Sequence, residues 1–269
     1  MPSQSFPVTG PLQASVRIAV GEVTITTDDG GQAHASIEAA DLADHAAVAL
    51  AETATITLDD GRLRVEVPDR VVWRRAPSAL NVRLTLPTGS SIGAAAGVLT
   101  LRATGRLEDV SLKAGVAVVE VEHAAELSVR GGQATVDIGT CTRAEFKSGR
   151  GDLRIGAADQ VHVKTGQGRV EIGTSSGDVA VKGAMLSLDV AAASSGQISF
   201  EAAMGNAHVG VVSGTTVELD LSSATGDARS DLPLTSGGGS TGADLAVRLK
   251  TTSGDVVVTR AEAPVSAAS

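Results

Sequence analysis

Between Ala95 and Lys182 apolar and polar positions recur as one phrase: AAGVLTLRATGRLEDVSLK, AGVAVVEVEHAAELSVR, GGQATVDIGTCTRAEFK, SGRGDLRIGAADQVHVK, TGQGRVEIGTSSGDVAVK. The period is 17 to 19 residues. Each phrase opens on small residues and Gly, runs through a short alternating strand, turns, and closes a second strand on Lys or Arg. A period of two puts alternate side chains on opposite faces of a strand. It assigns Leu99, Leu101, Ala117, Val119, Val121, Ala134, Val136, Leu153, Ile155, Val170 and Ile172 to the interior. The second strands add Leu127, Val129, Val161, Val163, Val179 and Val181.

Upstream, SVRIAV, EVTITT and AHASIEA read as strands, with Asp28-Asp29-Gly30-Gly31 as a hairpin turn. Asp41 to Ala54 is Ala-rich and interrupts them, either as a short helix capped by Asp41 or as a loop with a helical turn. TITLDDGRLRVEVP is a second hairpin around Asp59-Asp60-Gly61, and ALNVRLTLP adds a strand stopped by Pro87. Beyond Lys182 the phrase loosens into SSGQISF, MGNAHVG, ATGDARS and TSGDVVV. Leu232-Pro233 and TSGGGSTGA form a flexible insertion, and LAVRLKTTSGDVVVTR ends the fold.

These elements predict an all-β protein. Residues 91–260 are expected to form a β-solenoid, a right-handed parallel β-helix (handed by precedent) of short two-strand coils about 4.8 Å apart. Residues 1–90 are expected to cover one end as an antiparallel β cap, and 261–269 to be a disordered tail. Stacking GDLRI beneath GRVEI sets Asp152 beside Arg169 and Arg154 beside Glu171, which pins the register.

Composition narrows the picture. Aromatics are 1% of 269 residues, so the interior must be aliphatic, and 31 glycines without a three-residue period mark turns. The net charge of −9 argues against nucleic acid as a partner. Neither a secretory pattern nor an 18-residue apolar run is found, so no integral membrane segment is expected. One cysteine, Cys141, fits a reducing compartment, and the expected location is cytoplasmic.

VELDLSSATGDARSDL and VRLKTTSGDVVVTR, with the GDLRI-type phrases, resemble a bacterial β-strand-repeat family of unknown function, often labelled "putative adhesin". The resemblance runs from VRIAVGEVTI onward. It implies fold and carries no catalytic residues over.

Several motif matches have plain readings. Gly173-Thr174-Ser175-Ser176-Gly177 spells a nucleophile elbow, but joins two strands where that chemistry needs a strand-to-helix turn. Residues 237–242 spell G-x-G-x-x-G without a helix to follow. Arg150-Gly151-Asp152 has its structural explanation in the outward column, and SGRGDLRIG lacks the spacing and iteration of a calcium-binding nonapeptide. The five His are scattered; no metal and no cofactor is expected.

Two features remain. Arg70, Trp73, Arg74 and Arg75 place the one Trp among three positive charges, either as a loop for an anionic partner or lipid headgroup or as the seal of one end. Val98, Val116 and Val118 fall on the outward face, unless a bulge near Gly115 turns them inward. The reading is a non-enzymatic scaffold or protein-interaction module that self-associates. The alternatives are a carbohydrate-active β-helix enzyme, needing converging carboxylates and aromatic platforms, and a membrane-surface sensor acting through the Trp73 cluster.

Overall fold

The computed structural model describes residues 2–67, 78–232 and 243–261, and the chain divides into two compact units, Met1–Cys141 and Thr142–Ser269. Strands dominate both, and the one helix among the described residues is short.

In the first unit β1 (Ser3–Pro7) pairs antiparallel with β4 (Gln32–Ala39), and β4 antiparallel with β7 (Ala79–Leu86). β7 then runs parallel to β3 (Val20–Thr27), and β3 parallel to β8, a strand that continues from Ser90–Ser175. A second ladder joins β5 (Thr55–Asp59) to β6 (Arg62–Glu66) as an antiparallel hairpin, β6 to β2 (Gln13–Arg17) in parallel, and β2 to β8 in parallel. The predicted Asp59-Asp60-Gly61 turn forms this hairpin, with Asp60 at φ 45° and Gly61 at φ 72° as a left-handed two-residue turn requires. The Asp28–Gly31 turn does not join neighbours, because β7 lies between β3 and β4. Residues His45–Glu52 form α1, buried on Ala47, Leu50 and Ala51. Its cap is Asp44, whose Oδ1 accepts from the Ala46 and Ala47 amides at 2.9 and 3.1 Å; Asp41 accepts from the Ala43 amide one turn earlier.

In the second unit β9 (Val179–Ala193) lies parallel to β8, with Val161 opposite Val179 and Val163 opposite Val181. β10 (Gly196–Met204) follows on β9. β14 (Leu245–Ser253) is inserted next, parallel to β10 on one side and to β12 (Val217–Thr225) on the other. β11 (Ala207–Val211) pairs with the later part of β9 and with β15 (Val256–Arg260), which carries β13 (Ala228–Ser230). Thus LAVRLKTTSGDVVVTR does not close the fold; β12 does, and the last strands of the chain sit inside the ladder.

The predicted β-solenoid with an antiparallel cap is overturned. The strands form one mixed sheet of fifteen, ordered β1-β4-β7-β3-β8-β9-β10-β14-β12 with the remaining strands attached, and not a closed solenoid of separate coils. Antiparallel pairs belong to the same hydrogen-bonded network as parallel ones, and β2, β3, β6 and β7 of the supposed cap all make parallel pairs. The reason is physical: alternation says which face a side chain takes, and that alternation is the same whichever way the neighbouring strand runs.

The all-β class and the interior positions stand. Every residue assigned inward above, from Leu99 to Val181, is buried, at 4% exposure or less. Two of the three Phe, Phe146 and Phe200, join them in the second unit.

Candidate functional site

Alternation along β8 that sends Leu99, Leu101, Ala117 and Val119 inward leaves Val98, Val116 and Val118 on the surface, exposed by 44%, 40% and 39%. No bulge turns them in. Val98 lies opposite the half-buried Val20 of β3. Beside them runs a column without side chains beyond Cβ: Gly97 approaches the Ala19 carbonyl, Gly115 that of Gly97 and Gly132 that of Gly115, each so closely that an added Cβ would fall within 3.0 Å. Valines next to bare backbone make a flat apolar strip on the first unit. Arg70, Trp73, Arg74 and Arg75 lie outside the described residues.

Charged side chains on the outward faces form columns across the strands. In the first unit Arg102 lies between Glu22 and Glu120, bonding Glu120 through Nε at 3.0 Å and Glu22 through Nη1. These partners, Glu120 first, raise its pKa. In the second unit Arg154 donates twice to Glu171, at 2.9 and 2.7 Å, which holds the Glu171 carboxyl below its ordinary range. Asp152 stands beside Arg169 as the pattern predicts, but accepts from its backbone amide at 2.9 Å, while the Arg169 guanidinium turns to Glu171.

One column stacks cation on cation. Lys164 on β8 is directly opposite Lys182 on β9. The seventeen-residue offset that sets Arg143 against Gln160 at 3.0 Å brings Lys147 to the other side of Lys164. A groove of about 400 Å³ opens beside these lysines, lined also by Arg143, Glu145, His162 and Ala180, with the backbone of the buried Ala144 and Val163 beneath. Further along, Lys182 pairs with Glu201 at 2.7 Å, and Glu201 lies opposite Lys250 of β14. The signal for this row is visible in the chain, since every phrase closes on Lys or Arg; each such residue taken singly reads as a solvated strand end.

A shallower trough in the first unit is lined by Arg62, Arg64, Ser91, Asp109 and Ser111. Partial burial pushes the Asp109 carboxyl above its ordinary value, helped by the carboxylates of Glu126 and Glu108. The trough carries one carboxylate, the lysine groove carries Glu145, and a third groove carries Glu201. None of the three therefore presents the pair of carboxylates that glycoside hydrolysis uses.

Ser175, the central residue of the elbow-like motif, is buried at 3% exposure, and the chain continues into β9 instead of a helix. Cys141 is buried as a thiol and is not part of a disulfide. His208 bonds Thr259 at 3.0 Å, and no group of three His, Cys, Asp or Glu side chains among the described residues has the geometry to hold a metal. Among the described residues no helix is long and apolar enough to cross a membrane.

No protein-family model matches the sequence, and no curated protein matches it. Among solved structures the chain is similar to one described as a "putative adhesin" from Bacteroides fragilis, at 12% identity, 96% of each chain and a TM-score of 0.39. It is likewise similar to a "putative adhesin" from Parabacteroides distasonis, at 12% identity, 96% of each chain and a TM-score of 0.35. A "putative lipid binding protein" from the same organism matches at 8% identity, 97% of this chain, 96% of that one and a TM-score of 0.36. Family membership does not follow from likeness at this level.

Proposed function

We propose that this protein is a non-enzymatic interaction module, a scaffold that self-associates through the valine strip of its first unit. The observation that carries the reading is the exposure of Val98, Val116 and Val118, at 39% or more, on a strand whose other valines are interior. The neighbouring column of Gly97, Gly115 and Gly132 lets a second copy approach the backbone closely. Covering what each valine still exposes is worth about 1 kcal/mol at most, so two strips together contribute on the order of 6 kcal/mol. Association costs about 4 kcal/mol or more in lost freedom. The resulting self-association is weak and depends steeply on concentration.

Sedimentation velocity over a wide concentration range tests this. The wild-type chain should shift from monomer to a larger species as concentration rises, and Val116→Asp combined with Val98→Asp should abolish the shift. Met185→Asp, an equally exposed apolar site at 40% in the second unit, should leave it unchanged. A wild-type chain that stays monomeric throughout, or a double variant that associates like wild type, would refute the reading.

A further inference from the structure

The valine strip lies in the first unit; the lysine groove of the second has no part in that reading and needs its own explanation. Like charges directly opposite on neighbouring strands repel. Other columns of this sheet offset charge, with Arg102 between two glutamates and Glu201 between two lysines, and where Glu171 lies opposite Asp189 it bonds Arg154 and Arg169. Lys164 instead stands between Lys147 and Lys182. Its neighbours have carboxylates to turn to, Lys147 bonding Glu145 and Lys182 bonding Glu201, whereas Lys164 makes no ion pair among the described residues. Ala180, short and half-buried, leaves the space beside the ammonium groups open.

We propose that this groove binds a short linear oligophosphate group, with Lys164 as the central contact and Lys147 and Lys182 on either side. Three choices lead there. Ammonium groups act as compact point charges, and three of them around one space call for a ligand carrying several negative charges, which linked phosphates supply and a single carboxylate does not. The three lysines extend over two strand spacings, about 10 Å, which matches several linked phosphates better than a single one. Nucleic acid is disfavoured because Phe146 and Phe200 are buried and offer bases no platform, and because the chain carries a net charge of −9. The phosphates can belong to a free oligophosphate or to a phosphorylated lipid headgroup, since the chemistry at the lysines is shared.

Isothermal titration of the full chain with inorganic tripolyphosphate is the test. Wild-type protein should bind it at low salt, more weakly as salt rises, and much more tightly than orthophosphate. Lys164→Gln should weaken binding about tenfold or more, the loss of one charge-assisted contact. Lys164→Arg should retain most of it, and Lys113→Gln, outside the groove, all of it. Because Lys164→Gln relieves a repulsion, it should melt no lower than wild type without ligand, which separates lost binding from lost folding. Vesicles of phosphatidylcholine containing a polyprenyl diphosphate, whose headgroup is two linked phosphates, form a second arm. Vesicle binding that tripolyphosphate displaces and Lys164→Gln removes identifies a lipid headgroup as the source of phosphate. The proposal is overturned if tripolyphosphate does not bind, if Lys113→Gln weakens it as much as Lys164→Gln, if vesicles bind without competition from it, or if polyuridylate binds where it does not.

Discussion

Leu221 of β12 lies directly opposite Leu249 of β14, yet Leu249 is completely buried and Leu221 only half-buried. The difference follows from strand order. β14 has a neighbour on each side, β10 and β12, whereas β12 has one among the described residues, so its inner face has fewer side chains packed beside it. Truncating the two leucines should therefore cost unequal amounts. Leu249→Ala is expected to lose about 2–5 kcal/mol, the range for a buried leucine that leaves a cavity. Leu221→Ala should lose less than half as much, since solvent already reaches the site. Urea denaturation of both variants gives the comparison, and equal losses would mean that β12 is covered in solution.

That inserted strand marks the limit of what could be read from the chain. Leu245, Val247 and Leu249 declare an inner face by their alternation, and all are buried. Nothing in their spacing says that β14 slips between β10 and β12, because pairing partners are chosen by contacts distant in sequence. The same gap explains the solenoid expectation and the misplaced Asp28–Gly31 hairpin, both of which assumed that successive strands are neighbours. Charges did better where two phrases were close in wording: Arg154 and Glu171 form the ion pair expected of them. The lysine groove stayed hidden because its character lies in three residues from three phrases, each ordinary alone. Asp44 against Asp41 as the helix cap was a contest between two good capping residues three positions apart, decided by where α1 finds its buried face.

Ser175 carries a buried hydroxyl without a hydrogen-bond partner among the described residues. A polar group taken out of water without compensation is a standing penalty, and replacing it by a methyl-sized apolar group removes that penalty at little loss of packing. Ser175→Ala is expected to stabilise the protein by about 1 kcal/mol. A raised denaturation midpoint with unchanged slope is the signature. Destabilisation would show that the hydroxyl has a partner in solution, such as an internal water.

Gly168 has φ of 151°, and a Cβ placed on it would lie 1.8 Å from the carbonyl oxygen of Gly151, seventeen residues earlier in β8. Both the backbone conformation and the closeness of that carbonyl exclude a side chain. Gly168→Ala should destabilise by about 1–3 kcal/mol from backbone strain alone, and more once the two segments of β8 are pushed apart. Gly10, which has nothing within 4 Å of its added Cβ and an ordinary φ, supplies the control: Gly10→Ala should stay within about 0.5 kcal/mol of wild type. Thermal melts of the pair separate close strand approach from a general effect of losing glycine.

The raised pKa of Asp109 makes stability depend on pH in a defined direction. Burial, and next the carboxylates of Glu126 and Glu108, disfavour its charged form in the folded chain, while Arg62 and Arg64 line the same trough without an ion pair to it among the described residues. The folded state therefore holds the proton more tightly than the unfolded chain, whose carboxyl titrates near the ordinary 3.8. Below that value Asp109 is neutral in both states and costs nothing. As pH rises through it toward the higher folded value, the unfolded chain ionises first and native stability falls, levelling off once both forms are charged. Asp109→Asn removes the titration and eases the repulsion with Glu126 and Glu108. The variant should be more stable than wild type near neutral pH, with the advantage shrinking as the pH approaches 3.8. Urea midpoints of the two proteins measured across that interval would decide it, and a difference independent of pH would show that Asp109 is as well solvated as any surface carboxylate.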